Sequence, residues 1–559
     1  MNVQWQHAQA WWSEDEDLAF RPWAGDLSEG AAGAGAVGPG VWPDKSIVGT
    51  PGDDTLHGGS GDDTIDGAEG ADQMSGRRGN DTYIVDNAGD VVIELDRQGT
   101  DTVMSSVDYT LPAFVENLDL LDTNYPFDLD GIGNALDNVI SGSAGDNRLE
   151  GLGGNDYIDG GGHVGPYGED TLIGGDGDDT LVGGTVSMGS DELYGGAGDD
   201  VLQVARGANG LYGEDGNDSL VAGEGGPNGV ADYLSGGAGR DTLNGGGGLD
   251  GGDGNDLMFT SFATSSANGG LGNDTIEGPG GSGYVNFYVD GGGGKDSIDV
   301  YATNNRLYLS GGAGNDTLRG GAGQEVSIDG GGGADFITGY KTYPGGPLTV
   351  TGGGGNDTIE GSGAGDISLS GGSGADQLHA VGSTGFSLLL DGDLDDDILS
   401  AFGGDAHLLG GAGSDTFVLT GQEVPDQDVL WVDDFASGVD RLAVSQSSLV
   451  VGNGDLVVNG AVTVSGPGGF KASAELVIVT TDLAGGALLD QAAAAIGHAN
   501  QAYALGQTAV FMVDDGSNSY ALYFQSSGND ATVSADELSV IGRLAGAPST
   551  GLGDIVWSA

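Results

Sequence analysis

Gly311-Gly312-Ala313-Gly314-Asn315-Asp316-Thr317-Leu318-Arg319 is one copy of a nine-residue phrase that keeps returning along the chain. Gly195-Gly196-Ala197-Gly198-Asp199-Asp200-Val201-Leu202-Gln203 is another, and the shared form is G-G-x-G-[N/D]-D-x-apolar-x. Self-similarity at a short fixed period is the signature of a stacked solenoid. Consensus copies begin at 151, 174, 195, 213, 236, 251, 269, 291, 311, 330, 352, 371, 392 and 410. Their starts span 259 residues, about 20 per step. Two nonapeptides make one coil, so all consensus copies fall on one edge of the stack.

The segments between them form the opposite edge. Asp170 and Asp191 hold sixth positions there, while Asn147 and Asn209 replace the aspartate. Later segments lose the loop pattern but keep a period-two strand before the next Gly-Gly, as in Leu307/Leu309, Val326/Ile328, Leu348/Val350, Ile367/Leu369 and Leu388/Leu390. Four gap-free nonapeptides start at Gly49, Gly58, Gly67 and Gly76, with Leu56, Ile65, Met74 and Tyr83 at their eighth positions.

Around the repeats the chain divides into five parts. Residues 1–46 are an acidic, Trp-rich arm with a Gly/Ala linker, expected either to cap the first coil or to dock a partner. Residues 47–84 are the first repeat block. Residues 85–141 interrupt it with short alternating runs (Val91 to Leu95, Asp101 to Met104, Val115 to Leu120) that predict strands continuing or capping the stack. The main array covers 142–420. In 421–559 glycine thins out: Val429 to Leu442 predicts strand–turn–strand, Ala487 to Ala502 a helix, and Ala509–Val513 with Tyr520–Phe524 a strand pair. The fold class is therefore all-β, a parallel β-roll or β-helix solenoid with a small mixed α+β C-terminal cap.

Composition narrows the function. Lysine and arginine total 15 against 85 aspartates and glutamates, a formal charge of −70. Such a chain repels nucleic acid and anionic membrane, and its natural counter-charge is a cation. There is no cysteine, which removes disulfides and thiolate metal sites. The first residues show neither a basic n-region nor an apolar h-region, and no run approaches a transmembrane helix.

The phrase itself carries metal chemistry. Calcium takes six to eight oxygens from carboxylates and backbone carbonyls. Glycines at positions one, two and four allow φ > 0 and close backbone approach. Stacked coils place successive sixth-position aspartates about 4.8 Å apart. Two carboxylates at that distance repel by roughly 3.5 kcal/mol at an effective dielectric near 20. Folding and ion binding are expected to be one equilibrium, with a largely disordered chain in the absence of calcium.

These copies resemble the RTX (repeats-in-toxin, haemolysin-type) calcium-binding nonapeptide over about 49–84 and 142–420. The resemblance implies a parallel β-roll with calcium between successive loops, ligated by sixth-position aspartates. On one edge these are Asp156, Asp179, Asp200, Asp218, Asp241, Asp256, Asp274, Asp296, Asp316, Asp335, Asp357, Asp376, Asp397 and Asp415. Elsewhere they are Asp54, Asp63, Asp72, Asp81, Asp170 and Asp191. About fourteen ions on one edge are implied, with no second row expected beyond Asp191. The C-terminal region is similar to the uncleaved signals of type I secretion, closing on Asp554-Ile555-Val556-Trp557. That implies the type I secretion machinery as a partner and an extracellular or cell-surface location.

No H-E-x-x-H helix, G-x-S-x-G elbow or P-loop lysine motif occurs, and the six histidines are scattered. The expectation is a non-enzymatic extracellular structural or surface protein, of surface-layer, matrix or adhesin type. A second reading is a carbohydrate- or partner-binding module, using Tyr284, Phe287, Tyr288, Tyr301, Tyr340, Tyr343, Phe386 and Phe402 on variable loops of the degenerate edge. A third is a polysaccharide lyase or epimerase. Cell-surface glycan and self-assembly are the partner classes these readings imply.

Overall fold

Ile158, Leu181, Leu202 and Leu220 each stand at the eighth position of a copy, and each is fully buried. Their strands lie side by side in parallel, with Ile158 opposite Leu181, Leu181 opposite Leu202 and Leu202 opposite Leu220. One inward apolar group per coil, stacked on the next, is what a six-residue loop and a short strand can bury. The computed structural model describes residues 43–558 apart from 123–127, 162–168, 185–188, 226–231, 263, 281–285, 303–305, 323, 343, 421–429, 453–454, 484–487 and 547–549. The Trp-rich arm up to residue 42 lies outside the described residues, as do Tyr284 and Tyr343.

Two parallel sheets face each other across this core. Among the described residues the first has 22 strands, running from Ser46–Val48 to Arg441–Ser445 and ending on Ile555–Ser558. The second runs from Tyr109–Thr110 through Asp130–Ile132 to Leu430–Val432. In the first coils its place is taken by Thr55–Gly59, Gln73–Arg77 and Val91–Val92, again parallel. The interruption at 85–141 belongs to the roll: Thr102–Ser105 and Asn117–Leu120 pair in parallel between Thr82–Val85 and Val139–Ser141.

Both sheets continue past residue 420. Leu430–Val432 and Arg441–Ser445 are the strand–turn–strand read from the sequence, and they join opposite sheets as one more coil. Next to Leu430–Val432 the second sheet accepts Leu538–Ala545 in parallel. It then turns antiparallel through Asn518–Gln525 and Thr508–Asp514. A helix, Leu488–Ile496, buries Ala492 and Ile496 in a separate core that includes Val477, Phe511 and Phe524.

The edge that loses its repeat gains hydrocarbon. From Phe287 onward the second sheet buries a further column, Phe287, Leu307, Val326, Leu348, Ile367 and Leu388, in register from strand to strand. The first sheet makes room for it with Gly320, Gly339 and Gly361, which stand in register. A Cβ on Gly339 would stand 2.8 Å from Leu348 Cδ1. Each buried aliphatic side chain contributes about 1.5–3 kcal/mol. Lys341, also buried, donates from Nζ to the carbonyl oxygens of Gln324, Gly345 and Gly346 on this same edge, and burial lowers its pKa.

Leu348→Ala is expected to lower stability by about 2–5 kcal/mol, because its cavity is walled by backbone that cannot collapse. Denaturant melts in saturating calcium measure it, and a loss under 1 kcal/mol would show the column to be dispensable.

Candidate metal centre

Each nonapeptide loop ends on an aspartate that turns back into the stack. Along the edge leading into the first sheet, the backbone N–H of Asp156 donates to Oδ1 of Asp179. The same bond, at 2.7–3.0 Å, links Asp179, Asp200, Asp218, Asp241, Asp256, Asp274, Asp296, Asp316, Asp335, Asp357, Asp376, Asp397 and Asp415 in order, and ends on Asp440. All fourteen aspartates singled out there thus stand in one column. Asp63 and Asp81 belong to the same edge in the first block, where the chain of bonds runs from Lys45 through Asp63 and Asp81 to Asp101.

The opposite edge carries two shorter ladders. Asp54 donates to Asp72 and Asp72 to Asp90. Asn147 donates to Asp170, Asp170 to Asp191, Asp191 to Asn209 and Asn209 to Asp232. This second ladder extends past Asp191, where the sequence expectation ended. The two asparagines hold the hydrogen bond without the charge.

Only one carboxylate oxygen is used in this way. Oδ2 of Asp156, Asp179, Asp200, Asp218, Asp241, Asp256, Asp274, Asp296, Asp316, Asp335, Asp357, Asp376 and Asp397 is buried and has no hydrogen-bond partner. Beside it lies a space shaped by glycine. A Cβ on any first-position glycine from Gly151 to Gly392 would come within 3.0 Å of its own loop's Oδ2 and of the carbonyl oxygen of the next coil's first glycine. The cradle is lined by acceptors, which is a donor set for a hard cation and not for a side chain.

The three glycines therefore do different work. Positions two and four adopt positive φ, as at Gly175 (123°), Gly177 (135°), Gly196 (112°) and Gly198 (141°). Position one does not, so the sequence reading of φ > 0 there is corrected: this glycine is needed for space. At five loops where position two is not glycine the backbone is left-handed all the same, at Ala68, Arg77, Leu152, Glu214 and Asp393. Such residues cost about 1–2 kcal/mol each, so the stack imposes the turn on them.

Burial makes these carboxyls hard to ionise. It pushes Asp156, Asp200, Asp256, Asp296 and Asp397 up to about 7, and Asp179, Asp218, Asp241, Asp335 and Asp376 up to about 6; the N–H from the preceding coil opposes the shift in each. Neighbouring carboxylates push the same way at most of them. When bound, calcium would supply the missing positive charge between Oδ2 and the flanking carbonyls.

Several residues of the ladders escaped the sequence reading. Asp101 and Asp440 sit in Gly99-Thr100-Asp101-Thr102-Val103 and Gly438-Val439-Asp440-Arg441-Leu442, a shortened G-x-D-x-apolar phrase. Asp232 was betrayed only by the Gly236-Gly237 that follows its strand. The aromatics are a plainer correction: Phe287 is fully buried, while Tyr288, Tyr301, Tyr340 and Phe402 lie in strands, on two different sheets, and not in loops.

A sign follows for pH. Because the folded-state pKa values are raised, protonation favours the folded chain. In chelator this stabilisation is complete below the ordinary carboxylate range and is lost as pH rises through about 6–7. Far-UV circular dichroism in chelator should show strand content rising as pH is lowered from 7.5 to 5. A flat profile would contradict the assignment of the buried charge.

The comparison with known families gives one result. The family model of the RTX calcium-binding nonapeptide repeat (4 copies) matches residues 48–83, 132–162, 167–185, 194–226, 228–258, 308–337 and 349–378. No curated protein matches the chain. No helix among the described residues is long and apolar enough to cross a membrane.

Proposed function

We propose, from the premise that this is an RTX-repeat protein, that it is an extracellular structural or surface protein whose β-roll is assembled by calcium. The column of buried, half-satisfied carboxylates carries this reading. The proposed ligands are the carboxylates of the sixth-position aspartates, including Asp54, Asp63, Asp72, Asp81, Asp170 and Asp191, with the carbonyls of first-position glycines. About fourteen ions would lie along the long edge, and fewer along the other. In a calcium-poor cytosol the uncompensated charge keeps the chain unfolded, a form suited to type I export; outside the cell, ion binding and folding proceed together. Nothing in this role calls for a catalytic group, and a surface-layer, matrix or adhesin component fits it.

Calcium titration followed by circular dichroism and light scattering tests this. Strand signal should appear cooperatively with calcium and vanish with chelator, and ordered particle growth would point to self-assembly. Unchanged structure on chelation would overturn the reading.

One observation favours a second role, binding of a neutral saccharide. The outer face of the second sheet carries a trough of about 670 Å³ between Tyr233 on one side and the stacked pair Tyr288 and Tyr308 on the other, whose ring centroids are 4.9 Å apart. Gly248 and Ser266 leave the gap between them, and Asp250, Asn268 and Asp290 line it with acceptors for hydroxyl groups. Aromatic faces and convergent polar groups are the usual make-up of such sites, and the net charge disfavours acidic glycans. On an array of neutral glycans in calcium, Tyr288→Ala should lose any hit by tenfold or more; no hit with the unaltered chain would end this reading.

A further inference from the structure

The point where the repeat breaks holds a different arrangement of acids. Glu94 occupies the place of a first-position glycine: it stacks one coil beyond Gly76, whose N–H donates to Glu94 Oε1 at 3.1 Å. The N–H of Arg77 and the hydroxyl of Tyr83 donate to the same oxygen. Oε1 is thus held by three donors. Oε2 is buried and has none. Oδ2 of Asp81 and Oδ2 of Asp101 are likewise buried without a hydrogen-bond partner. One oxygen from each of the three carboxylates falls within 4.8 Å of the others, and among the described residues no other group of three acids or histidines is so close.

A repeat loop presents one carboxylate and backbone carbonyls to its cradle; here the carboxylates are three. Leaving them bare would concentrate like charge in the interior, where each pair would repel by several kcal/mol. Three convergent hard oxygens, one of them oriented by a phenol and two amides, are what a divalent ion needs.

We propose that Glu94 joins the ladder residues Asp81 and Asp101 in a three-carboxylate divalent-cation site unlike the repeat cradles, with Tyr83 as the positioning residue that holds the Glu94 carboxylate toward it. Its greater carboxylate count makes it the first site to fill in a calcium titration. Its place ties the first repeat block to the first coils of the 85–141 segment. The proposal rests on the calcium reading of the ladder only for the choice of cation.

The test is calorimetric calcium titration of the full chain and of Glu94→Gln and Tyr83→Phe, with circular dichroism in saturating calcium confirming that each variant folds. Glu94→Gln should bind one ion fewer and lose the tightest step. Tyr83→Phe should keep the count and weaken that step by about 10–100-fold, the usual loss when a residue that orients a ligand is removed. If Glu94→Gln binds the same number of ions with the same first step, the site is refuted, whatever the ladder does. If the unaltered chain binds a single ion that Glu94→Gln abolishes, this site stands and the ladder reading falls.

Discussion

Everything in this roll depends on a carboxylate accepting a hydrogen bond from the coil before it. The N–H to Oδ1 bond is short, buried and repeated from Asp156 to Asp440. It fixes each loop against the next and at the same time delivers negative charge, coil after coil, at the inter-strand spacing of about 4.8 Å. The bond that builds the stack therefore also gathers the charge that a cation would offset. Geometry and electrostatics are two views of one interaction here.

The two edges answer that constraint differently. The long edge keeps its acids throughout. The other uses aspartate in the first coils, mixes it with asparagine from Asn147 to Asp232, and from Phe287 gives up polar loops for a buried aliphatic column. Lys341 belongs to this later regime: its ammonium, held by three backbone carbonyls, is a cation the chain supplies itself. Lys45 does something similar at the start of the long edge, where Nζ donates to the carbonyl oxygen of Gly58 at 2.9 Å.

Much of this was legible because spacing carries it. A period near 20 residues placed fourteen aspartates on one edge, and an apolar eighth position placed one side chain per coil in the core. Legibility failed where a residue acts through register and not through the phrase. Phe287 and Tyr288 are neighbours with opposite fates, since successive strand residues face opposite sides. Glu94 breaks the pattern in sequence yet stacks upon it in space. The segment from Leu430 to Ser445 was legible as strand–turn–strand, but that pattern is common to a coil and a hairpin, and only the pairing partners make it a coil.

The ladder also has a polarity. Every aspartate receives its hydrogen bond from the coil before it and gives its own N–H to the coil after it, so each loop's amide is satisfied only once the following coil is in place. At the far end that obligation falls on Asp440, whose Oδ2 accepts from the N–H of Ala436, and on the adjoining turn, where Asp554 accepts from Ser437 and Gly438. The last strand, Ile555–Ser558, then closes the first sheet against Arg441–Ser445. The C-terminal segment thereby stands at the accepting end of the ladder. Coils can add to it one at a time, each finding a finished neighbour, whereas a chain ordering from the other end would leave every new loop waiting on one not yet formed. A solenoid that is nearly symmetric in its coils is, in its hydrogen bonds, a one-way structure.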